Sequence, residues 1–128
     1  MQAYHNNIEE LTVANQDFRQ VLFTGHHSQL VLMSLKPGEE IGLETHPDND
    51  QFFRFEAGEG KVVVDGQEFV VKDGDAVVIK SGSKHNVINT SQSQALKMYT
   101  IYSPAHHPDG TVHHTKKEAL AAEEEHHS

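Results

Sequence analysis

Two stretches of this 128-residue chain gather the side chains able to hold a metal ion. The first, residues 37–60, reads PGEEIGLETHPDNDQFFRFEAGEG, and the second, residues 74–89, reads GDAVVIKSGSKHNVIN. On extended backbone alternate residues share a face, so Glu44 and His46 point one way and Thr45 the other. In the next run Gln51, Phe53 and Phe55 share one face while the charged Arg54 and Glu56 share the opposite one. The apolar face is the inside, and it carries Gln51 inward. A Ser81-Gly82-Ser83 turn then delivers His85, Val87 and Asn89 to one face of the following run. Glu44, His46 and His85 are therefore candidate metal ligands, with Gln51 as a fourth oxygen donor or a hydrogen-bonding group for a ligand. Two imidazoles and one carboxylate with open positions suit Fe(II), Mn(II), Ni(II) or Zn(II). With no Cys in the chain, disulfides, thiolate zinc sites and cysteine nucleophiles are excluded.

The elements that must position these donors are short β-branched and aromatic runs separated by Gly, Asp, Asn and Pro. The expected strands are RQVLFT, QLVLMSL, EEIGLETH, DQFFRFEA, GKVVVDG, QEFVVK, DAVVIK, KHNVINT and LKMYTIY. Asp65-Gly66 between two of them predicts a type I′ hairpin, whose central residues both take positive φ. So many antiparallel strands must hide their edges, and a closed barrel or a double-sheet jelly roll does so. The pattern divides the chain into an N-terminal extension (1–17), a barrel (18–103) and a C-terminal loop with a short helix or tail (104–128). TKKEALAAEEE has the composition of an exposed helix or frayed end.

The same two stretches resemble the paired motifs of the cupin family, G-x5-H-x-H-x3,4-E-x6-G and G-x5-P-x-G-x2-H-x3-N. Gly38, Glu44, His46, Gln51 and Gly58 fall on the first, and Gly74, Lys80, Gly82, His85 and Asn89 fall on the second. The short spacing between them is similar to that of small single-domain bacterial cupins. The resemblance implies an all-β fold, a cupin jelly-roll β-barrel of antiparallel strands. It also implies one divalent transition metal inside the barrel. Glu44 stands where the family has its first His, Gln51 where it has Glu, and Lys80 where it has Pro. Formal ligand charge is unchanged by the exchange, because a carboxylate has moved from one coordinating position to another.

Cupins are catalytically diverse, so the fold alone leaves function open. The resemblance points to a metal-dependent oxidoreductase, isomerase or lyase acting on a small oxygenated molecule such as a sugar acid, keto-acid or phenol. The alternative is a non-catalytic barrel that binds or senses a small molecule. No separate general base stands out among the inward residues. A formal charge of −9 argues against nucleic-acid binding, and no apolar run is long enough to span a bilayer. A cytoplasmic location is the default expectation. A homodimer is expected too, since the apolar FRQVLFT and QLVLMSL runs could extend a neighbouring sheet. His106, His107, His113 and His114 lie in a Pro- and Gly-bearing tract and read as solvated or interface histidines, with one of them folded over the barrel mouth as a lid or substrate contact as the lesser reading.

Overall fold

The computed structural model describes residues 2–127, and side chains through residue 123. Ten strands among them are β1 (Arg19–Thr24), β2 (Gln29–Leu35), β3 (Glu44–Thr45), β4 (Asp50–Ala57), β5 (Glu59–Val64), β6 (Gln67–Lys72), β7 (Ala76–Ile79), β8 (Lys84–Asn89), β9 (Leu96–Ser103) and β10 (Val112–His113). Helices α1 (Ile8–Ala14) and α2 (Lys116–His127) flank them. One sheet has the order β10-β1-β2-β9-β4-β7, the other β3-β8-β5-β6. Every strand pairing is antiparallel, and the architecture is the expected jelly-roll barrel.

The period-2 sequence pattern decides what lies inside. Along β4, Gln51, Phe53 and Phe55 are buried; along β8, His85, Val87 and Asn89; along β9, Leu96, Met98, Thr100 and Tyr102. Val31, Met33 and Leu35 from β2 and Val62 from β5 complete the packing between the sheets. Each such side chain contributes roughly 1.5–3 kcal/mol by leaving water. A slip of one residue would turn every one of them outward, so the packing fixes the register that aims the polar members of each row.

Turns deliver strands to the site as the sequence suggests, with one exception. Asp65 and Gly66 take φ of 47° and 84°, as a type I′ turn demands. The Asp65 carboxylate accepts the Lys84 N–H at 2.8 Å, which pins the start of β8 one residue before His85. The exception is EEIGLETH. It is paired only at Glu44–Thr45 and at an isolated bridge from Glu40 to Ile88. Gly42, at φ +109°, leaves the extended region and breaks the run. Its N–H is taken up by the Asn86 side chain at 2.9 Å, so no backbone donor is lost.

The segments on either side of the barrel strands, α1 and the start of α2, pack on the barrel. Thr12 and Asn15 at α1 are buried, and Tyr4 stacks on Phe23 at 5.9 Å. The C-terminal segment adds β10 beside β1, then α2, whose Ala119 is 3% exposed within the core cluster. The helix expected from composition is present, but it is docked through Ala119 instead of fraying in solvent. β1 is thus covered by β10 at Arg19 and Gln20, and β2 lies in the sheet interior. Among the described residues no helix is long and apolar enough to cross a membrane.

Gly58 shows how tightly this end of the barrel is built. It has φ +92°, and a Cβ there would lie 2.5 Å from the Ala95 carbonyl oxygen. Gly74 has a similar φ of +91° with nothing within 4 Å of a Cβ. Gly74→Ala therefore pays only backbone strain, about 1–2 kcal/mol, whereas Gly58→Ala adds a clash with backbone and should cost at least ~1 kcal/mol more. Urea unfolding of both variants checks this, and equal losses would contradict it.

Candidate metal centre

Three elements bring the donors together. Glu44 on β3 sits directly across the ladder from His85 on β8. His46 follows β3, and its carbonyl accepts the N–H of Gly82 at 2.9 Å, which ties the end of β3 to the Ser-Gly-Ser turn before β8. One ligand atom each from Glu44, His46 and His85 lie within 4.8 Å of one another, close enough to touch a common ion. His46 Nε2 is 3.8 Å from Glu44 Oε2, and the two imidazole rings are 5.2 Å apart at their centres.

His85 Nδ1 lies 3.1 Å from the Ser83 carbonyl, which can only accept. The ring proton therefore sits on Nδ1, and the Nε2 lone pair is left for a ligand or ion. Gln51 Nε2 donates to Thr100 Oγ1 at 3.0 Å, leaving Oε1 as its other polar atom. Gln51 stands beside Tyr102 in the β4–β9 ladder, and the Tyr102 ring meets His46 edge-on at 5.6 Å. His46 Nε2, His85 Nε2 and Gln51 Oε1 are all buried with no hydrogen-bond partner. Unpaired polar atoms inside a protein are costly and uncommon. Two of these belong to the three-residue cluster, so the donor set fits a divalent cation.

Burial dominates the electrostatics. It holds the Glu44 carboxyl up at about 7, against the lowering pull of Arg19. Burial also pushes His46 down to about 4, aided by the neighbouring His106 and His85. Without a bound cation, Glu44 and His46 are therefore both neutral between about 4 and about 7. A bound cation would reverse the balance at Glu44 by stabilising the carboxylate.

The histidine tract is organised by residues that the sequence did not mark. Gln29, 1% exposed, accepts the N–H groups of His106 and His107 at 3.1 and 3.0 Å and donates to the His107 carbonyl at 2.7 Å. This clamp lays the His106 ring 4.3 Å from His46 and stacks it on Tyr102 at 5.2 Å. His107 Nε2 lies 3.3 Å from the Tyr102 hydroxyl, and His113 Nδ1 lies 3.3 Å from Arg19 Nη1. Of the four, His114 alone points away, to Asp17 at 2.7 Å. Three of the histidines thus border the barrel mouth, as in the lesser reading of the sequence, with His106 still exposed to solvent and His107 and His113 half-buried. Arg19 was missed as well: a cation opening an apolar strand reads as surface, yet it is 3% exposed.

Comparison with known proteins places the central part of the chain in a family. Residues 31–102 match the cupin domain family. The uncharacterized protein YrkC of Bacillus subtilis is 50% identical over 124 residues, covering 92% of this chain and 66% of its own length. A crystal structure from Bacillus halodurans is 46% identical with a TM-score of 0.90, covering 92% of this chain and 93% of that one. A predicted oxalate decarboxylase of Thermotoga maritima is 26% identical with a TM-score of 0.57, covering 60% of this chain and 66% of that one.

The electrostatics make a specific expectation for the metal-free protein. His46 and His107, pushed down by burial to about 4 and about 2, should stay neutral where an ordinary histidine, near 6.5, is half protonated. His114, raised by its bond to Asp17, should titrate above that value. For His46 the folded state binds fewer protons than the unfolded, so its contribution to stability is lost as pH falls from about 6.5 through about 4. Imidazole NMR titration checks all three, and a normal midpoint at His46 or His107 would contradict the packing described.

Proposed function

The chain belongs to the cupin domain family, and from that premise we propose that Glu44, His46 and His85 hold one divalent transition metal ion, Fe, Mn, Ni or Zn, with Gln51 as a fourth oxygen donor. The observation that carries this is the convergence of the three ligand atoms within 4.8 Å, with both histidine Nε2 atoms buried and unpaired. We propose further that the protein is a metalloenzyme of dioxygenase, isomerase or lyase type. Its substrate would be a small oxygenated molecule such as a sugar acid, keto-acid or phenol. The bound ion would supply Lewis acidity, or O2 activation if it is iron. The chain's own part is to shield the centre with Tyr102, to fix the His85 tautomer through Ser83, and to place His106 beside His46 as a group able to accept or return a proton. His106 answers the lack of an evident base in the sequence. The T. maritima relative's description as a predicted oxalate decarboxylase favours a carboxylate-bearing substrate.

Elemental analysis of untagged protein tests the centre. The expected result is one metal per chain, with affinity lowered more than ~100-fold in His46→Ala and His85→Ala, beyond what loss of an outer-shell partner costs. Gln51→Glu should bind the ion more tightly, because it brings a second carboxylate to the centre. Retention of metal by both Ala variants would remove the proposal, and unchanged affinity in Gln51→Glu would remove Gln51 from the ligand set. Stoichiometric metal with no turnover of catechols, keto-acids or sugar acids would favour the binding or sensing barrel.

A homodimer is part of the proposal. With β2 interior and β1 covered at its start, its support shifts to exposed apolar side chains: Val70 on β6 is 86% exposed, and Val78 on β7 is 72% exposed. Light scattering at micromolar concentration should give twice the chain mass, and Val70→Lys with Val78→Lys should shift it toward monomer. A monomer mass for the unaltered protein would end the dimer proposal.

A further inference from the structure

Arg19 is buried without an anion among the described residues. It opens β1 at 3% exposure, and none of the ion pairs among the described residues includes it. Among the described residues the one hydrogen bond of its guanidinium is Nη1 with His113 Nδ1 at 3.3 Å, and Nε is buried with no partner. The guanidinium carbon lies 5.3 Å from the centre of the Phe18 ring, which compensates the desolvated charge only in part. A buried guanidinium is ordinarily paired, because its five donors and its charge are expensive to leave unmet.

What Arg19 faces is a cavity of about 370 Å³, lined also by His106, His107, His113 and, from α2, Ala119 and Glu123. That volume is at the small end for small-molecule sites. His106 is a wall shared with the metal centre, since its ring also lies 4.3 Å from that of His46. Glu123 lines the cavity without coming within ion-pair distance of Arg19, so it does not meet the guanidinium's need.

We propose that Arg19 anchors a carboxylate subsite: the ligand is a small molecule whose carboxylate pairs with the guanidinium in this cavity, its other oxygen-bearing end directed past His106 toward Glu44, His46 and His85. The direction toward the ion rests on the metal-centre proposal; the Arg19 subsite itself does not. A planar guanidinium fork matches a carboxylate with two parallel hydrogen bonds. His113 supports the match, for as an acceptor it occupies one donor and holds the plane of the fork. The subsite narrows the substrate class to small carboxylic acids and removes phenols that lack a carboxylate. The cavity size sets the upper limit on the ligand.

The test uses the full chain, metal-stripped and Mn(II)-loaded, titrated with succinate and with neutral succinamide, and followed by protein NMR so that weak binding is read. Succinate should bind the metal-stripped protein at least ~10-fold more tightly than succinamide, a tenfold step being the signature of one charge-assisted pair. Arg19→Gln should remove that preference, and Arg19→Lys should restore part of it as a point charge without the fork. If Arg19→Gln does not fold, Glu123→Gln reads the same subsite: loss of a like charge beside the ligand should tighten succinate binding. Equal binding of succinate and succinamide, full succinate binding by Arg19→Gln, or succinate binding not tightened by Glu123→Gln overturns the subsite. Metal content measured on the same samples separates the two proposals. Stoichiometric metal with Arg19-independent succinate binding overturns the subsite and leaves the metal centre standing, and Arg19-dependent binding by protein that takes up no metal does the reverse.

Discussion

Glu44 and His85 face each other across a ladder only two residues long, and much of the irregular structure around β3 keeps that ladder in place. A two-residue strand has no stability of its own. Here it is tied on both sides. Before it, the N–H of Ile41 reaches Val87 and the Glu39 carbonyl accepts from Asn89, while Asn86 takes the Gly42 N–H that the broken run frees. After it, the Gly82 N–H holds the carbonyl of His46. β8 is itself anchored through Asp65, so the two motif stretches are fastened to each other by backbone groups and short polar side chains. Side-chain donors can then be aimed without relying on their own packing.

The inward rows of β4, β8 and β9 also share a gradient. Reading away from the centre, Gln51 gives way to Phe53 and Phe55, His85 to Val87, and Tyr102 and Thr100 to Met98 and Leu96. One end of the barrel is thereby filled and close-packed, and the other holds polar atoms. Asn89 is the polar residue at the filled end, and its amide donates to three carbonyls, at Leu35, Lys36 and Gln94. The contrast with His46 and His85 is informative. A buried polar side chain with a structural task is satisfied within the protein, whereas those at the open end leave an atom for something else.

This gradient explains what could be read from the sequence and what could not. Strand faces follow from alternation between near neighbours, so the inward placement of Gln51, His85 and Asn89 was legible, as was the Asp65-Gly66 turn. Where a loop lies is settled by contacts between residues far apart in the chain. Gln29 and the histidine tract meet only after β2 and β9 have paired, and no local pattern links them. Arg19 is a similar case: its alternation puts it on the inner face with Val21, but a lone cation there is normally discounted as an edge residue. The break at Gly42 was hidden because β-branched and charged neighbours kept the appearance of a strand. Ala119 was hidden because an Ala in a polar helix carries too little apolar surface to announce which face is docked.

Charge inside the barrel runs opposite to charge outside. The chain carries a formal −9, which repels anions at a distance. Among the described residues, buried Arg19 favours the carboxylate of Glu44, as does half-buried Lys116, and disfavours protonation of His46, His106, His107 and His113. With a divalent ion in the proposed centre, Glu44 offsets one of three positive charges in a region of low dielectric. Glu123, on the wall of the same cavity, offsets part of the remainder, and the net charge left there is positive. With the proposed ion bound, a small anion that passes the repelling exterior would meet net positive charge inside. Larger polyanions are held off by the surface and cannot enter a cavity of about 370 Å³. On the proposed reading, selection for small acids would follow from the opposition of the two fields, with Arg19 and the metal centre sharing the work of binding.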